Sequence, residues 1–119
     1  PVMTLTLMRV AVAARLDGDF ERVVEAGFHH MWEAPKKMDD PDVIRDALAA
    51  SGLEAERLLA RAKDSDVKAA LLKLTEDAVE RGTFGAPTFF VGGEMFYGKD
   101  QLRDVEDEIT TARTSKLAR

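Results

Sequence analysis

Up to Arg81 the apolar residues of this chain recur at helical spacing, and after Gly82 they do not. Thr88-Phe89-Phe90-Val91 is too short and too aromatic for a helix, and it lies between Pro87 and Gly92-Gly93. Glu94-Met95-Phe96-Tyr97-Gly98 follows. Two short strands across a Gly-Gly pair predict a hairpin with a positive-φ turn. A lone two-stranded hairpin is marginal in water. Phe89 and Phe90 point to opposite faces of their strand, so both faces need cover. No other stretch reads as a strand. Either a part of a larger sheet is missing or another chain supplies the cover; the expectation is a second copy, burying Phe89, Phe90 and helix faces in a homodimer.

Before that hairpin the chain is helical. Leu5, Met8, Val12 and Leu16 predict a helix over residues 4–17, which Gly18 interrupts. Val23, Val24, Phe28 and Met31 predict a second over 20–32. Asp40-Pro41 is a helix start, with Asp as cap and Pro at the first helical position, and that helix stops at Gly52. LEAERLLARA is a short helix. Asp64 or Ser65 caps the next, which carries Val67, Leu71, Leu74 and Ala78 and ends at Gly82. A final helix from Asp100 turns Leu102, Val105 and Ile109 inward, and the polar tail TARTSKLAR is expected to fray. The fold class is α+β and mostly helical: a helical region over residues 1–82, then a ββα region over 83–119.

Composition excludes several functions. The 119 residues suffice for one domain with a modest core. With 45% hydrophobic and 33% charged residues the chain is globular. Seventeen basic against twenty-two acidic residues give −5 and no basic cluster, which argues against a nucleic-acid partner. No apolar run reaches membrane-span length, so no membrane partner is expected. There is no cysteine, so this chain forms no disulfide, thiolate nucleophile or cysteine-ligated metal site. The first residues read as an amphipathic helix and not as a signal peptide, and the expected location is the cytoplasm.

Two places near the hairpin carry chemistry. Pro87 restricts Ala86 to extended geometry. A cis Ala86-Pro87 bond would leave the Ala86 N–H and C=O exposed for a ligand to pair with as an added strand; a trans proline starting a strand is the plain alternative. Gly98-Lys99-Asp100 lies where strand gives way to helix. A helix N-terminus suits a carboxylate, and Asp100 would suit an ammonium, so an α-amino acid head group fits there. Asp100 capping its own helix is the plain alternative.

The run from Phe84 to Val91, with Gly92-Gly93-Glu94 and Phe96-Tyr97-Gly98-Lys99-Asp100-Gln101-Leu102, resembles the C-terminal half of the 2-hydroxychromene-2-carboxylate isomerase family. These are DsbA-like thioredoxin-fold proteins related to kappa-class glutathione transferases. Phe28-His29-His30-Met31-Trp32 and Asp40-Pro41-Asp42-Val43 resemble the family's inserted helical domain. The resemblance implies a cis proline at Pro87 and glutathione as cofactor. It implies that the Ala86 backbone pairs with the cysteinyl part and that Lys99 and Asp100 hold the γ-glutamyl end. The substrate would be an aromatic-pathway acid, isomerised by reversible addition of the glutathione thiolate. In the family, the strand matching Thr88–Val91 lies beside a strand of an N-terminal βαβ unit that carries the catalytic serine, or cysteine in redox members. Nothing in this sequence matches that unit. The expectation is a truncated form of such an isomerase without the nucleophile-activating residue.

Other residues favour plainer roles. His29 and His30 point about 100° apart on a helix and cannot chelate one metal as a pair, so one is expected packed and one solvated. Trp32 and Tyr97 would line an aromatic pocket or simply pack. Lys36-Lys37 reads as a surface loop. Two other functions compete: a dithiol oxidoreductase relative, which the lack of cysteine opposes, and a non-enzymatic helical dimerisation module.

Overall fold

The structure is a computed structural model that describes residues 2–117. It divides into two compact units, residues 1–76 and 77–119. The division falls within a helix, slightly before the sequence boundary at Gly82.

The first unit holds α1 (Leu5–Asp17), α2 (Phe20–Phe28), α3 (Pro41–Ala50), α4 (Ala55–Arg61) and most of α5 (Ser65–Glu80). Asp40 caps α3 as expected: its Oδ1 accepts from Asp42 N–H at 2.9 Å, with Pro41 at the first helical position. The core draws Val10 and Ala14 from α1, Val23 from α2, Ile44 and Leu48 from α3, and Leu58 from α4. Removing a large aliphatic side chain such as Ile44, Leu48 or Leu58 from water contributes roughly 1.5–3 kcal/mol.

α1 corrects one expectation. Leu5, Met8 and Leu16 are substantially exposed, while Val10, Val12, Ala13 and Ala14 are buried. The reason is that α1 serves two clusters. Val10 and Ala14 join the main core, and Val12 and Ala13 meet Val67 of α5 with Ala70 and Leu71 beside it. A helix buried on two sides has no single apolar stripe, and short side chains let its neighbours approach closely.

The second helix also departs from expectation. It is α-helical only to Phe28, and His29–Glu33 form a π-turn in which Ala34 N–H donates to His29 O at 2.8 Å.

The second unit holds β1 (Thr88–Val91), β2 (Glu94–Tyr97), a 3₁₀ turn over Lys99–Gln101 and α6 (Leu102–Leu117). The strands pair antiparallel, Thr88 opposite Tyr97 and Val91 opposite Glu94. Gly92 turns the chain with φ 58°, a conformation that costs glycine little. Among the described residues the sheet has these two strands, and all four residues of β1 are half-buried. Among the α6 residues whose burial is described only Val105 is buried; Leu102 and Ile109 are exposed, against expectation. The described part of the tail is helical, since α6 continues to Leu117, and Ala118 and Arg119 lie outside the described residues. Thr110, Thr111 and Thr114 turn their hydroxyls onto carbonyls four residues back, so this polar stretch lies along the helix.

Candidate functional site

The site is the end of the hairpin away from its Gly-Gly turn. The strand register continues one step past Thr88 and Tyr97, where Gly98 N–H donates to Pro87 O at 2.9 Å. Ala86 and Lys99 each lie one residue further out. The Ala86–Pro87 peptide bond is cis. All four residues singled out from the sequence, Ala86, Pro87, Lys99 and Asp100, are exposed at this end.

Contacts within the same unit hold the loop into β1. Thr88 Oγ1 donates to Gly85 O at 2.5 Å. The Tyr97 ring packs on Phe84 with centroids 4.6 Å apart, and it lies directly over Gly85. A Cβ on Gly85 would sit 2.8 Å from Tyr97 Cε2, so only glycine leaves room for the ring. The Arg81 guanidinium stacks 3.7 Å from the centroid of the Phe90 ring, covering part of a side chain that the sequence left bare.

Beyond Tyr97 the chain turns at Gly98, φ 95°, into the 3₁₀ turn, with Gln101 N–H donating to Gly98 O at 3.1 Å. The cap position is Gly98, and no side chain caps the turn. The side chains of Lys99 and Asp100 make no hydrogen bond or ion pair to another described residue. Opposite charges therefore stand side by side, next to a helical N-terminus and an exposed backbone step. Such a place offers opposite charges and strand-like pairing groups complementary to those of a zwitterion. It holds no cysteine to act as nucleophile.

The first unit carries the remaining sequence candidates. His30 is buried and His29 exposed, the packed and solvated pair expected. The Lys36 ammonium has only donors, so at 2.9 Å it donates to His30 Nδ1. The ring proton therefore sits on Nε2 and is given to Ser51 Oγ at 3.0 Å. Ser51 in turn donates to Ala47 O at 2.9 Å. Burial, then the Lys36 charge, then His29 push the His30 pKa below its ordinary value, so the imidazole is neutral near pH 7. Lys36 is thus a partner for a buried ring and not merely a loop residue. No group of three or more His, Cys, Asp or Glu residues able to hold a metal occurs among the described residues.

Trp32 stands 72% exposed beside an apolar groove of about 230 Å³ formed with Leu7, Met8, Val24, Phe28 and Met31. Tyr97 belongs to the other unit, where its partners are Phe84 and Gly85. Sequence reading missed those partners. They become visible only once the strand register is fixed, since Gly85 and Tyr97 are twelve residues apart.

The sequence matches the DSBA-like thioredoxin domain over residues 2–110. The chain belongs to the DSBA-like thioredoxin domain family. Within the curated proteins it is 30% identical, over 96 residues, to the 2-hydroxychromene-2-carboxylate isomerase of Sphingobium xenophagum. That alignment covers 81% of this chain and 49% of the isomerase, so the chain spans about half the length of this relative. The mostly helical α+β architecture is consistent with the DSBA-like family. No described helix is long and apolar enough to cross a membrane.

Proposed function

We propose that this DSBA-like chain binds glutathione at the Ala86-Pro87 step and the Gly98-Lys99-Asp100 turn, as part of an isomerase of the 2-hydroxychromene-2-carboxylate type acting on a small aromatic-pathway acid. The observation that carries this reading is the meeting of an exposed X-Pro step with an unpaired Lys-Asp pair at one end of the hairpin. Likeness to the Sphingobium isomerase supports the reaction class.

The residues fit the group. A γ-glutamyl end carries one ammonium and one carboxylate, the complements of Asp100 and Lys99. A cysteinyl backbone carries an N–H and a C=O, the complements of the Ala86 backbone. When bound, glutathione supplies a thiolate nucleophile. The chain's own part is to orient it: Lys99 and the helical N-terminus attract carboxylate, Asp100 accepts from ammonium, and Thr88 with Tyr97 keeps the loop in place. We place the protein in the cytoplasm, where reduced glutathione is held in that form.

The test is an amide NMR titration of the full chain with reduced glutathione. Saturable shifts at Ala86, Thr88, Lys99 and Asp100, weakened at least about tenfold in Asp100→Asn, are the expected result. Shifts scattered over the surface, or none, would sink the glutathione assignment.

A second reading has its own observation. β1 pairs with β2 along one edge, and its other edge faces no strand among the described residues. A homodimer joined there accounts for that edge without a ligand. Sedimentation mass across a hundredfold dilution separates the two readings. A dimer whose stability rises with protein concentration, in a chain that ignores glutathione, favours the dimerisation module.

A further inference from the structure

We propose that a cleft at the meeting of α1, α3 and α4, wholly inside the helical unit, binds a small organic anion. It shares no residue with the hairpin site. Thr6 and Arg9 reach it from α1, one turn apart. Pro41 and Arg45, four residues apart, reach it from α3, and Leu59 and Lys63 from α4 and the turn after it. Residues three or four apart share one helix face, so each element turns a single face to the cleft. The space is about 240 Å³, below the roughly 300–1,000 Å³ of drug-sized sites, which sets a small ligand.

Three of the lining side chains are cations, in a chain of net charge −5. Arg45 is already neutralised: it pairs with Asp42 at 2.7 Å and with Glu56 at 2.5 Å, the latter as an ion pair without an aligned hydrogen bond. Arg9 and Lys63 have no carboxylate partner among the described residues. Arg9 Nε is buried with no hydrogen-bond acceptor. A guanidinium left without an acceptor for its donors forfeits the hydrogen bonds that water would otherwise give it. An anion in the cleft would take its hydrogen bonds from the terminal guanidinium nitrogens, which have no acceptor among the described residues. Lys63, at the rim, adds a second charge. Pro41, Leu59 and Ala62 add apolar lining, which a bare inorganic ion leaves unused. A carboxylate on a short apolar or aromatic body uses both kinds of lining, with Arg9 offering its planar fork to the carboxylate oxygens.

Benzoate is the probe. Backbone amide and arginine Nε–H signals of the full chain are followed during titration with benzoate, with inorganic phosphate and with neutral benzyl alcohol. The expected result is saturable movement of the Arg9 Nε–H and the Ala62 and Lys63 amides with benzoate. Phosphate binds more weakly and benzyl alcohol leaves these signals in place. Arg9→Gln weakens benzoate by about tenfold or more, and so does Lys63→Gln to a smaller extent, while Arg113→Gln on α6 leaves it unchanged. Lys63 is exposed, so its variant reports even where the Arg9 variant folds poorly. Phosphate matching benzoate overturns the organic part of the assignment. Benzyl alcohol matching benzoate overturns the anion part. No saturable movement at Arg9 and Lys63 overturns the site.

Discussion

The two units hold their shape by different means. In the helical unit Val10, Ile44, Leu48 and Leu58 are 0% exposed, and side chains from four helices meet in one core. In the hairpin unit Val105, 9% exposed, is the only buried residue among those described. The hairpin is kept instead by particular contacts: Tyr97 over Gly85, Thr88 to the Gly85 carbonyl, Arg81 on Phe90. One unit is stabilised by volume, the other by a few oriented pairs. Mutations should therefore read differently in each: by size in the first, by identity in the second.

The sharpest way to break this contrast is to remove volume from both. Leu58→Ala should cost about 2–5 kcal/mol, seen as a lower urea midpoint, whereas Leu102→Ala on exposed α6 should stay within about 0.5 kcal/mol. Equal losses would show that the hairpin unit has a core of its own. Next comes Gly85→Ala, which sets a methyl against the Tyr97 ring and should cost about 1–3 kcal/mol, with faster hydrogen exchange across Thr88–Tyr97. Adding Tyr97→Ala should relieve the crowding; a double variant no better than Gly85→Ala would mean that the backbone conformation is at fault. Asp40→Ala removes the α3 cap and should cost about 1 kcal/mol by thermal melting, with Asp40→Asn close to unchanged.

The smallest effect is the one set by pH. The folded His30 ring resists protonation, and the unfolded ring takes up a proton near pH 6.5. The unfolded state then binds more protons, so stability falls as pH drops below about 6.5 and this group contributes no slope above it. His30→Gln should flatten that part of the stability curve. A curve with the same slope in both proteins would assign the effect to the carboxylates.

What the sequence made legible follows the same division. The α3 start was readable because Asp40-Pro41 is a local signal that needs no distant partner. The hairpin and its turn were readable because Gly92-Gly93 separates two equal short strands. Ala86, Pro87, Lys99 and Asp100 were readable as candidates, and the register accounts for their meeting at one end. The burial of α1 was not readable, since its two clusters are set by α2 to α5 and leave no single stripe. Leu102 and Ile109 follow helical spacing yet stay exposed, because spacing says which residues share a face and not whether anything covers it. Lys36 lies in an exposed loop as read, but its partner was not readable, because His30 is held in a turn that periodicity does not anticipate.

That π-turn has a consequence for comparing chains. A turn closed from residue 29 to residue 34 holds one residue more than the α-helical turn it replaces. Among relatives it should surface as a single-residue gap between Phe28 and Ala34. On the short side of the gap, the residue aligned with Trp32 would be swung by about 100° around the helix. One deletion there would redirect the aromatic wall of the groove while the core positions before Phe28 kept their register. Natural length variation at this point is then a means of changing what the groove admits without redesigning the fold beneath it.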